Sequence, residues 1–497
     1  MDLVVVSNRV ARAKANEPMT GGLAAALLPV VEKSGAIWVG SSGRVRDNVS
    51  KDSFAKIESL GAGALALLDI PAAHYGGYYE GFANSALWPA LHSRTDLIRV
   101  SRDDYQSYRE VNAFMARALM RFNKPSAAFW IQDYHFLTLG AEMRDLGIRN
   151  PLGFFLHTPW PARRVIAGVP HHRDLVEAML AYDLIGFQTD DDCENFATYL
   201  RAELGLEVDG GRVSSRFGTS RIAVFPIGID VDGFAAQAQR AASHPDVSRL
   251  RKSLHGERLA IGVDRVDYSK GLVNRISAFD RLFEIQPSLK RSVSLLQIAT
   301  PSRGGIEAYS NLQDELSKQV TEVNGRHGEV DWTPIRYLSK GFSQTVLAGF
   351  YRAAQVGVVT PLHDGMNLVA KEYVAAQNPI DPGVLVLSKF AGAANELDTA
   401  LLVNPHDIDG MARTIATALS MPSTERRMRW EAMMAKLRAG TIHSWFAGFI
   451  DALETTHIAA GPSLLPPVVQ PLRVAAGASV GDRRVHSAHF VPRPMAN

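Results

Sequence analysis

Short apolar runs alternate with longer amphipathic stretches along most of the chain. In the first half the runs occupy residues 3–6, 36–39, 127–131, 153–156, 184–187 and 222–225, and in the second half 259–263, 293–299, 356–360 and 383–387. Short apolar runs separated by helical patterns are typical of parallel βαβ units rather than hairpins. The pattern therefore predicts an α/β protein with a Rossmann-like parallel sheet in each half.

A chain of 497 residues is too long for one ordinary core, so two domains are expected. The passage "FPIGIDVDGF" separates the two sets of strands and carries Pro and Gly, which favour a crossing. We predict a first domain over residues 1–232 and a second over 233–444, with a helix over 445–458 that packs back on the first. Residues 461–497 are Pro-rich and aperiodic, and are predicted to form a disordered tail.

Composition narrows the classes of function. The formal net charge of +2 is spread without long runs of one sign, so we predict neither a nucleic-acid partner nor a membrane partner. The N-terminal apolar run is too short for a signal sequence, and the single cysteine agrees with a reducing compartment. We therefore expect a cytoplasmic enzyme that acts on a small molecule.

Charged residues recur directly after the predicted strands of both halves. Ligands of open parallel sheets bind at this end of the strands, where loops and helix N-termini point into a crevice. Any one such residue is more often a solvated loop residue, but the repetition predicts a site shared by two sheets that face each other. The residues are Arg9, Asp133, His135, His157, Arg265, Lys270, Arg303 and Asp364.

The segment "HDGMNLVAKEYVAAQ" at residues 363–377 predicts a helix whose start binds phosphate. Its first residues lack bulky side chains, so the backbone N–H groups of residues 366–368 would present the positive end of the helix dipole. Glu372 lies two turns after Asp364 and either faces the same cleft or is a surface acid. Gly22, in a Gly pair ahead of an apolar helix, either lets the backbone approach a ligand or makes a turn.

The run "TDDDCENFATYL" at residues 189–200 offers three consecutive aspartates. It fits a helix with a Thr cap and acids in its first turn better than a metal site. No H-E-x-x-H or C-x-x-C motif supports zinc, and no Walker A motif supports phosphoryl transfer from ATP. No metal site is predicted.

Several long motifs together resemble one family. They occur in the order found in trehalose-6-phosphate synthases, which are retaining glycosyltransferases of the two-domain GT-B fold, and the match spans roughly residues 1–455. The resemblance implies transfer of glucose from a nucleotide sugar, most often UDP-glucose, to glucose 6-phosphate without a required metal or other cofactor. The motifs are "VVVSNRV", "GGLA", "YYEGFANSALWPALH", "WIQDYHF", "HTPWP", "FPIGIDVDGF", "GVDRVDYSKGL", "PSRG" and "TPLHDGMNLVAKEYVA".

Site residues follow from the resemblance, position by position. The acceptor pocket is implied at Arg9, Tyr79, Trp88, Asp133 and Arg303, and the donor site at Gly22, His157, Arg265, Lys270, Asp364, Asn367, Leu368 and Glu372. Asp133, His157, Arg265, Lys270 and Asp364 are the implied catalytic group. The diphosphate would be held by Arg265 and Lys270, the ribose hydroxyls by Glu372, and the transferred glucose would meet the backbone carbonyl of His157.

Two departures from the family pattern and three alternatives accompany this hypothesis. Residues 162–164 read Ala-Arg-Arg where the family carries a Pro-Glu pair, and His363 stands where Arg is usual. A related synthase with another donor or acceptor, such as glycerol 3-phosphate, a retaining hydrolase with paired carboxylates, and an inactive sugar-phosphate-binding protein remain alternatives. The choice among UDP, ADP and GDP stays open, and a homo-oligomer is compatible with the sequence.

Overall fold

The computed structural model describes residues 2–10, 22–47 and 54–460. The predicted disordered tail at residues 461–497 lies outside the described residues. None of the described helices combines the length and the apolarity that a bilayer span requires.

The first half of the chain builds a sheet of ten strands in the order β3-β4-β2-β1-β5-β6-β7-β10-β9-β8. Its central ladders, from β4 to β10, are parallel. The strands are β1 (Asp2–Arg9), β2 (Ile37–Arg46), β3 (Lys56–Leu60), β4 (Gly63–Pro71), β5 (Ala127–Gln132), β6 (Leu152–Phe155), β7 (Leu184–Phe187), β8 (Val208–Asp209), β9 (Arg212–Ser215) and β10 (Gly218–Val224).

The second half builds a sheet of six strands in the order β13-β12-β11-β14-β15-β16. Every ladder in it is parallel, and most of its strand residues are buried because helices cover both faces. The strands are β11 (Arg258–Arg265), β12 (Val293–Thr300), β13 (Ile335–Leu338), β14 (Val356–Val359), β15 (Val384–Ser388) and β16 (Leu401–Val403).

Helices connect the parallel strands, as right-handed crossovers require. They are α1 (Gly22–Ser34), α2 (Ala72–Tyr75), α3 (Trp88–Leu91), α4 (Arg102–Leu119), α5 (Leu139–Asp145), α6 (Arg163–Ile166), α7 (His172–Met179), α8 (Asp190–Tyr199), α9 (Val231–Ala241), α10 (Pro245–Ser253), α11 (Leu272–Ile285), α12 (Glu307–His327), α13 (Gln344–Ala353), α14 (Leu368–Ala376), α15 (Ile408–Ser420), α16 (Ser423–Ala439) and α17 (Ile442–Ala460). A π-helical segment, Gly76–Leu87, joins α2 to α3.

The expectation of parallel units without hairpins is wrong at both edges of the first sheet. The strands β3 and β4 pair antiparallel, and so do β8, β9 and β10. These edge strands carry many exposed polar residues. Without a continuous apolar run they give a weak strand signal.

The last helix, α17, packs on the first sheet although it follows the second sheet in the chain. The ring of Trp445 lies 4.8 Å from that of Trp130, and the ring of Phe449 lies 4.7 Å from it. Phe449 also fills the space above Gly153 and Gly186, where a Cβ would come within 2.8 Å of its ring. The glycines of β6 and β7 thus make room for an aromatic helix face. The domain limits at residues 232 and 444 stay a prediction.

Candidate active site

Both sheets reverse their strand order at one point, and the two points lie side by side. In the second sheet the chain moves outward from β11 through β12 to β13 and then returns to β14 on the other side. In the first sheet the corresponding reversal lies between β1 and β5. Loops diverge at such a point and leave a crevice beyond the strand ends. Most of the predicted charged site residues end or follow β1, β5, β6, β11, β12 and β14.

Arg303, in the loop after β12, joins the two halves. Its guanidinium carbon lies 3.9 Å from the ring centroid of Trp88, and Nη2 donates to the hydroxyl of Tyr134 at 3.2 Å. Nη1 donates to Asp267 at 3.2 Å and to the hydroxyl of Tyr309. The side chain is 6% exposed, so a cation with several fixed partners lies at the junction. Its φ of 49° is a left-handed conformation that non-glycine residues seldom adopt.

Asp267 is the anionic centre of this group and was not among the predicted site residues. It is fully buried and accepts hydrogen bonds from the indole of Trp88 at 3.4 Å and from Ser269 at 3.0 Å. Burial alone would raise the pKa of Asp267, but the surrounding cations, Arg303 first, lower it to about 2. Arg265 lies 3.8 Å from the same carboxylate and is 42% exposed. Asp267 therefore fixes one guanidinium and leaves the other free to reach a ligand.

Lys270 and Asp364 face each other across the reversal point of the second sheet. The Lys270 ammonium donates to Asp364 at 2.6 Å, and the amide of Asn367 donates to the same oxygen at 3.0 Å. Burial would raise the pKa of Asp364, but Lys270 lowers it below its ordinary value. Gly271, at a φ of 63°, packs on the carbonyl of Thr360, where a Cβ would clash. This close approach holds Lys270 against the end of β14.

The helix α14 begins at Leu368, later than residue 363, where the quoted segment starts. Asn367 caps it: the residue has a φ of 75°, and its side chain accepts from the N–H of Ala370 at 3.4 Å. The first N–H groups of the helix have no acceptor within it and can bind an anion. Glu372 is partly buried on the next turn, and desolvation raises its pKa to about 7.

Asp133 and His157 follow neighbouring strands of the first sheet. The N–H of His157 donates to the Asp133 carboxylate at 3.2 Å. Burial raises the pKa of Asp133 to about 6, and burial lowers the pKa of His157 to about 3. Asp133 has φ 76° and ψ 168°, a backbone conformation that is costly outside glycine and is concentrated at functional sites. The carbonyl of His157 lies against Gly365, where a Cβ would clash. Gly365 belongs to residues 360–367 between β14 and α14, which we call the donor loop because the resemblance implies donor binding there.

Tyr79 belongs to a column of stacked rings that leads away from the Trp88–Arg303 contact. Its ring lies 5.5 Å from that of Tyr75 and 6.0 Å from that of His135, nearly parallel to both. Arg9 is exposed at the end of β1, beside Gly43 and near Tyr75. The predicted pairing of Arg9 with Arg303 across an acceptor phosphate stays a prediction. Gly22 is the first residue of α1.

Two further residues near the site escaped prediction. His92, after α3, is buried, and its Nδ1 is 2.9 Å from the carbonyl of Trp88. Burial lowers its pKa to about 4, so its charge is absent at neutral pH. Arg275 is fully buried in α11 and pairs with Asp264 at 2.6 Å beneath the loop that carries Lys270. An arginine in the first turn of a helix and a lone histidine carry no sequence signal that separates them from ordinary surface residues.

The two departures from the family pattern lie at the edges of this region. Arg163 pairs with Glu203 at 2.5 Å, which ties α6 to the end of the helical segment after α8. The ring of His363 lies 6.5 Å from that of His92, edge to face. Within residues 2–10, 22–47 and 54–460, no group of three or more His, Cys, Asp or Glu side chains is arranged to hold a metal ion.

Two facing parallel sheets, with charged groups where their reversal points meet, are the architecture of a two-domain glycosyltransferase of the GT-B class, which the similar solved structures share. The chain belongs to Glycosyltransferase family 20, whose model matches residues 3–455. This confirms the family and the fold that the motifs predict.

Named relatives and solved structures agree with the family. A trehalose-6-phosphate synthase of Sinorhizobium fredii is 44% identical over 459 residues, which is 91% of this chain and 98% of that protein. An alpha,alpha-trehalose-phosphate synthase (UDP-forming) from Burkholderia xenovorans, solved with glucose-6-phosphate, is 43% identical with a TM-score of 0.88 over 91% of this chain and 100% of that one. An E. coli structure with UDP-2-fluoro glucose bound is 37% identical, with a TM-score of 0.85 over 91% and 99%.

Proposed function

We propose that the protein transfers glucose from UDP-glucose to glucose 6-phosphate and releases UDP and α,α-trehalose 6-phosphate. The observation that carries this proposal is the junction at Arg303, whose guanidinium lies on Trp88 of the first half while its loop belongs to the second. Lys270 and the start of α14 lie beside this junction, at the reversal point of the second sheet. Of the relatives named above, one is named for this activity, one was solved with glucose-6-phosphate and one with UDP-2-fluoro glucose.

In the acceptor half, aromatic rings and a buried carboxylate would surround a sugar while arginines bind its phosphate. Trp88 and Tyr79 offer ring faces for the sugar, and Asp133 can accept hydrogen bonds from its hydroxyls. Arg303 presents a planar fork that suits a phosphate, and Arg9 supplies a second one in this proposal.

In the donor half, the groups are arranged to stabilise a leaving diphosphate. As the bond between glucose C1 and the diphosphate oxygen breaks, negative charge grows on that oxygen. Arg265, Lys270 and the N–H groups at the start of α14 are already in place to stabilise it, so little reorganisation is needed. Glu372 would accept hydrogen bonds from the ribose hydroxyls. No divalent cation is required in this scheme, because fixed cations and the helix dipole take its part.

Retention at C1 follows from displacement on one face. The departing diphosphate oxygen takes the proton from the acceptor hydroxyl, and the new C1–O bond forms on the side that the diphosphate leaves. The backbone carbonyl of His157 lies next to Gly365 and faces the donor loop, where it can accept from a hydroxyl of the transferred glucose. A cytoplasmic location, a homo-oligomer and the absence of nucleic-acid and membrane partners stay predictions.

The test is an assay of nucleotide release from UDP-, ADP- and GDP-glucose, with and without glucose 6-phosphate. We expect release to be fastest from UDP-glucose, to rise strongly with glucose 6-phosphate, and to yield a non-reducing disaccharide phosphate. Release stimulated only by another acceptor, such as glycerol 3-phosphate, would redirect the assignment. No stimulation by any acceptor would overturn it.

A further inference from the structure

A fully buried lysine, Lys371, lies in α14 next to Glu372 and has no part in the scheme above. Its ammonium donates to the carbonyl of Ile227 at 2.7 Å and to the carboxylate of Glu396 at 2.6 Å. The Lys371 side chain is 0% exposed and the Glu396 side chain 19%. A buried ammonium is tolerated only with close partners, so its position is fixed relative to both of them.

Ile227 belongs to the chain segment that passes from the first sheet to the second. The chain returns after α16, and the two crossings touch: the N–H of Ile442 donates to the carbonyl of Ile229 at 3.1 Å. A Cβ on Gly228 would clash with the carbonyl of Gly440. We call residues 226–230 and 440–442 the hinge segments. Any change in the angle between the sheets must pass through them.

Glu396 connects the same lysine to the donor loop and to the returning crossing. It follows a turn whose Gly392 N–H donates to the carbonyl of Asp364 at 3.1 Å and whose Ala393 N–H donates to the carbonyl of Met366 at 2.9 Å. Its Oε2 also lies 3.6 Å from a Cβ built on Gly440. The ion pair therefore joins α14 directly to residues 226–230, lies beside Gly440 of the second hinge segment, and is connected to the donor loop through the turn before Glu396.

We propose that Lys371 is a positioning residue that couples the start of α14 to the hinge segments, so that a sugar nucleotide bound there stabilises one arrangement of the two sheets. The ligand named in this inference rests on the proposed function, whereas the coupling rests on the contacts of Lys371. A ligand shifts such an equilibrium only through contacts that differ between its states. The hydrogen bond between Lys371 and the Ile227 carbonyl would supply that difference. A shift of residues 226–230 would move this carbonyl and, through Lys371, the start of α14, where the diphosphate would bind.

The first test is amide hydrogen exchange in the ligand-free protein. We expect Lys371→Met to accelerate exchange together in residues 364–370 and in both hinge segments. Arg144→Met is the matched control, because Arg144 is 7% exposed, pairs with Asp183 at 2.9 Å and donates to three carbonyls of the first sheet's periphery. It should lower the melting temperature without changing exchange at the hinge. Acceleration confined to α14, or equal in both variants, would overturn the coupling.

The second test separates positioning from stability. In Lys371→Met/Glu396→Gln no unpaired carboxylate remains, so we expect much of the lost melting temperature to return. In Lys371→Met and in the double variant alike, the KM for UDP-glucose should be about tenfold above that of wild type. The KM for glucose 6-phosphate should be within about twofold of wild type. Recovery of both the donor KM and the hinge exchange in the double variant would reduce Lys371 to a packing role. If the wild type transfers no glucose, the proposed function fails, while hydrogen exchange still decides the coupling.

Discussion

The ends of the two sheets that meet at the site differ in their electrostatics. At the first sheet burial sets the pKa values: it lowers the pKa of His135 and of His157 to about 3, which leaves both rings neutral at pH 7, and raises the pKa of Asp133 to about 6. At the second sheet the central groups form ion pairs: nearby cations lower the pKa of Asp267 to about 2, and Lys270 donates to Asp364 at 2.6 Å, while burial raises the pKa of Glu372 to about 7.

The two sheets share a parallel core, but the different charge states at their ends suit different ligands. Neutral donors and acceptors between aromatic rings suit the hydroxyls of a sugar, since they need no countercharge. Cations held in place by buried carboxylates suit a group whose negative charge increases during the reaction. The fold brings both ends together, and under the proposed function the side chains determine which substrate binds at each end.

The largest effect is expected from Lys270→Ala. The substitution removes a fixed charge from the leaving diphosphate and leaves Asp364 without its ammonium, so kcat should fall about 10²–10³-fold. Steady-state kinetics measure this, with circular dichroism to verify folding. Lys436→Ala is the control, because Lys436 pairs with Asp398 at 2.7 Å on the surface. Near-wild-type turnover in Lys270→Ala would contradict the assignment.

The next effect is expected from Arg303→Lys, which keeps the charge but loses the planar fork over Trp88. We expect kcat/KM for glucose 6-phosphate to fall about 10–100-fold, because bidentate contacts are lost. The KM for UDP-glucose should change little. Equal losses for both substrates would mean that Arg303 does not distinguish acceptor from donor.

A pH profile tests the raised pKa of Asp133 at the first sheet's end. The Asp133 carboxylate is the form present above about pH 6, so kcat/KM for the acceptor should fall as the pH drops through this value. A phosphate monoester also titrates near 6. Asp133→Asn separates the titration of Asp133 from that of the substrate phosphate. Its activity should be lower than that of wild type, and a fall in kcat/KM near pH 6 that persists in the variant is due to the substrate.

The same residue gives a stability readout of opposite sign. Because the pKa of Asp133 is raised in the folded protein, its stabilising effect is present below its ordinary value of 3.8 and is lost as the pH rises through about 6. Asp133→Asn should therefore melt at a higher temperature than wild type at pH 8, with the gap shrinking towards pH 4. A gap that does not depend on pH would contradict the raised pKa.

The smallest effect is expected far from the junction, at Asp190→Asn. Asp190 opens α8, which Thr189 caps by accepting from the N–H of Asp192 at 3.2 Å, as the sequence predicts. Loss of the acid should cost about 0.3–1 kcal/mol through the helix dipole. Denaturant unfolding measures it, and kcat should be unchanged. A tenfold fall in kcat at unchanged stability would point to a ligand at the Asp run instead.

The central strands could be predicted from the sequence because they are buried on both faces. The predicted run at 184–187 has the same bounds as β7, and that at 293–299 is one residue shorter than β12. The edge hairpins could not be predicted this way: β9 has a single buried residue and β8 has none. Short half-exposed strands are set by their neighbours rather than by their own pattern.

For the site, the sequence identifies positions at strand ends but not the contacts that join the halves. Arg303, Lys270 and Asp364 follow strands and could be named. Asp267 could not, because its role depends on a hydrogen bond from Trp88, 179 residues away. Arg9 is of the same kind: it ends β1, as a strand-end residue, but the predicted partner Arg303 lies in the other half.

Titration calorimetry with each substrate alone tests the division between the two ends most directly. Glucose 6-phosphate and UDP are titrated separately into wild type, Lys270→Ala and Arg303→Lys. The account predicts that Lys270→Ala weakens UDP and spares glucose 6-phosphate, whereas Arg303→Lys does the reverse. Parallel weakening of both ligands in both variants would contradict it.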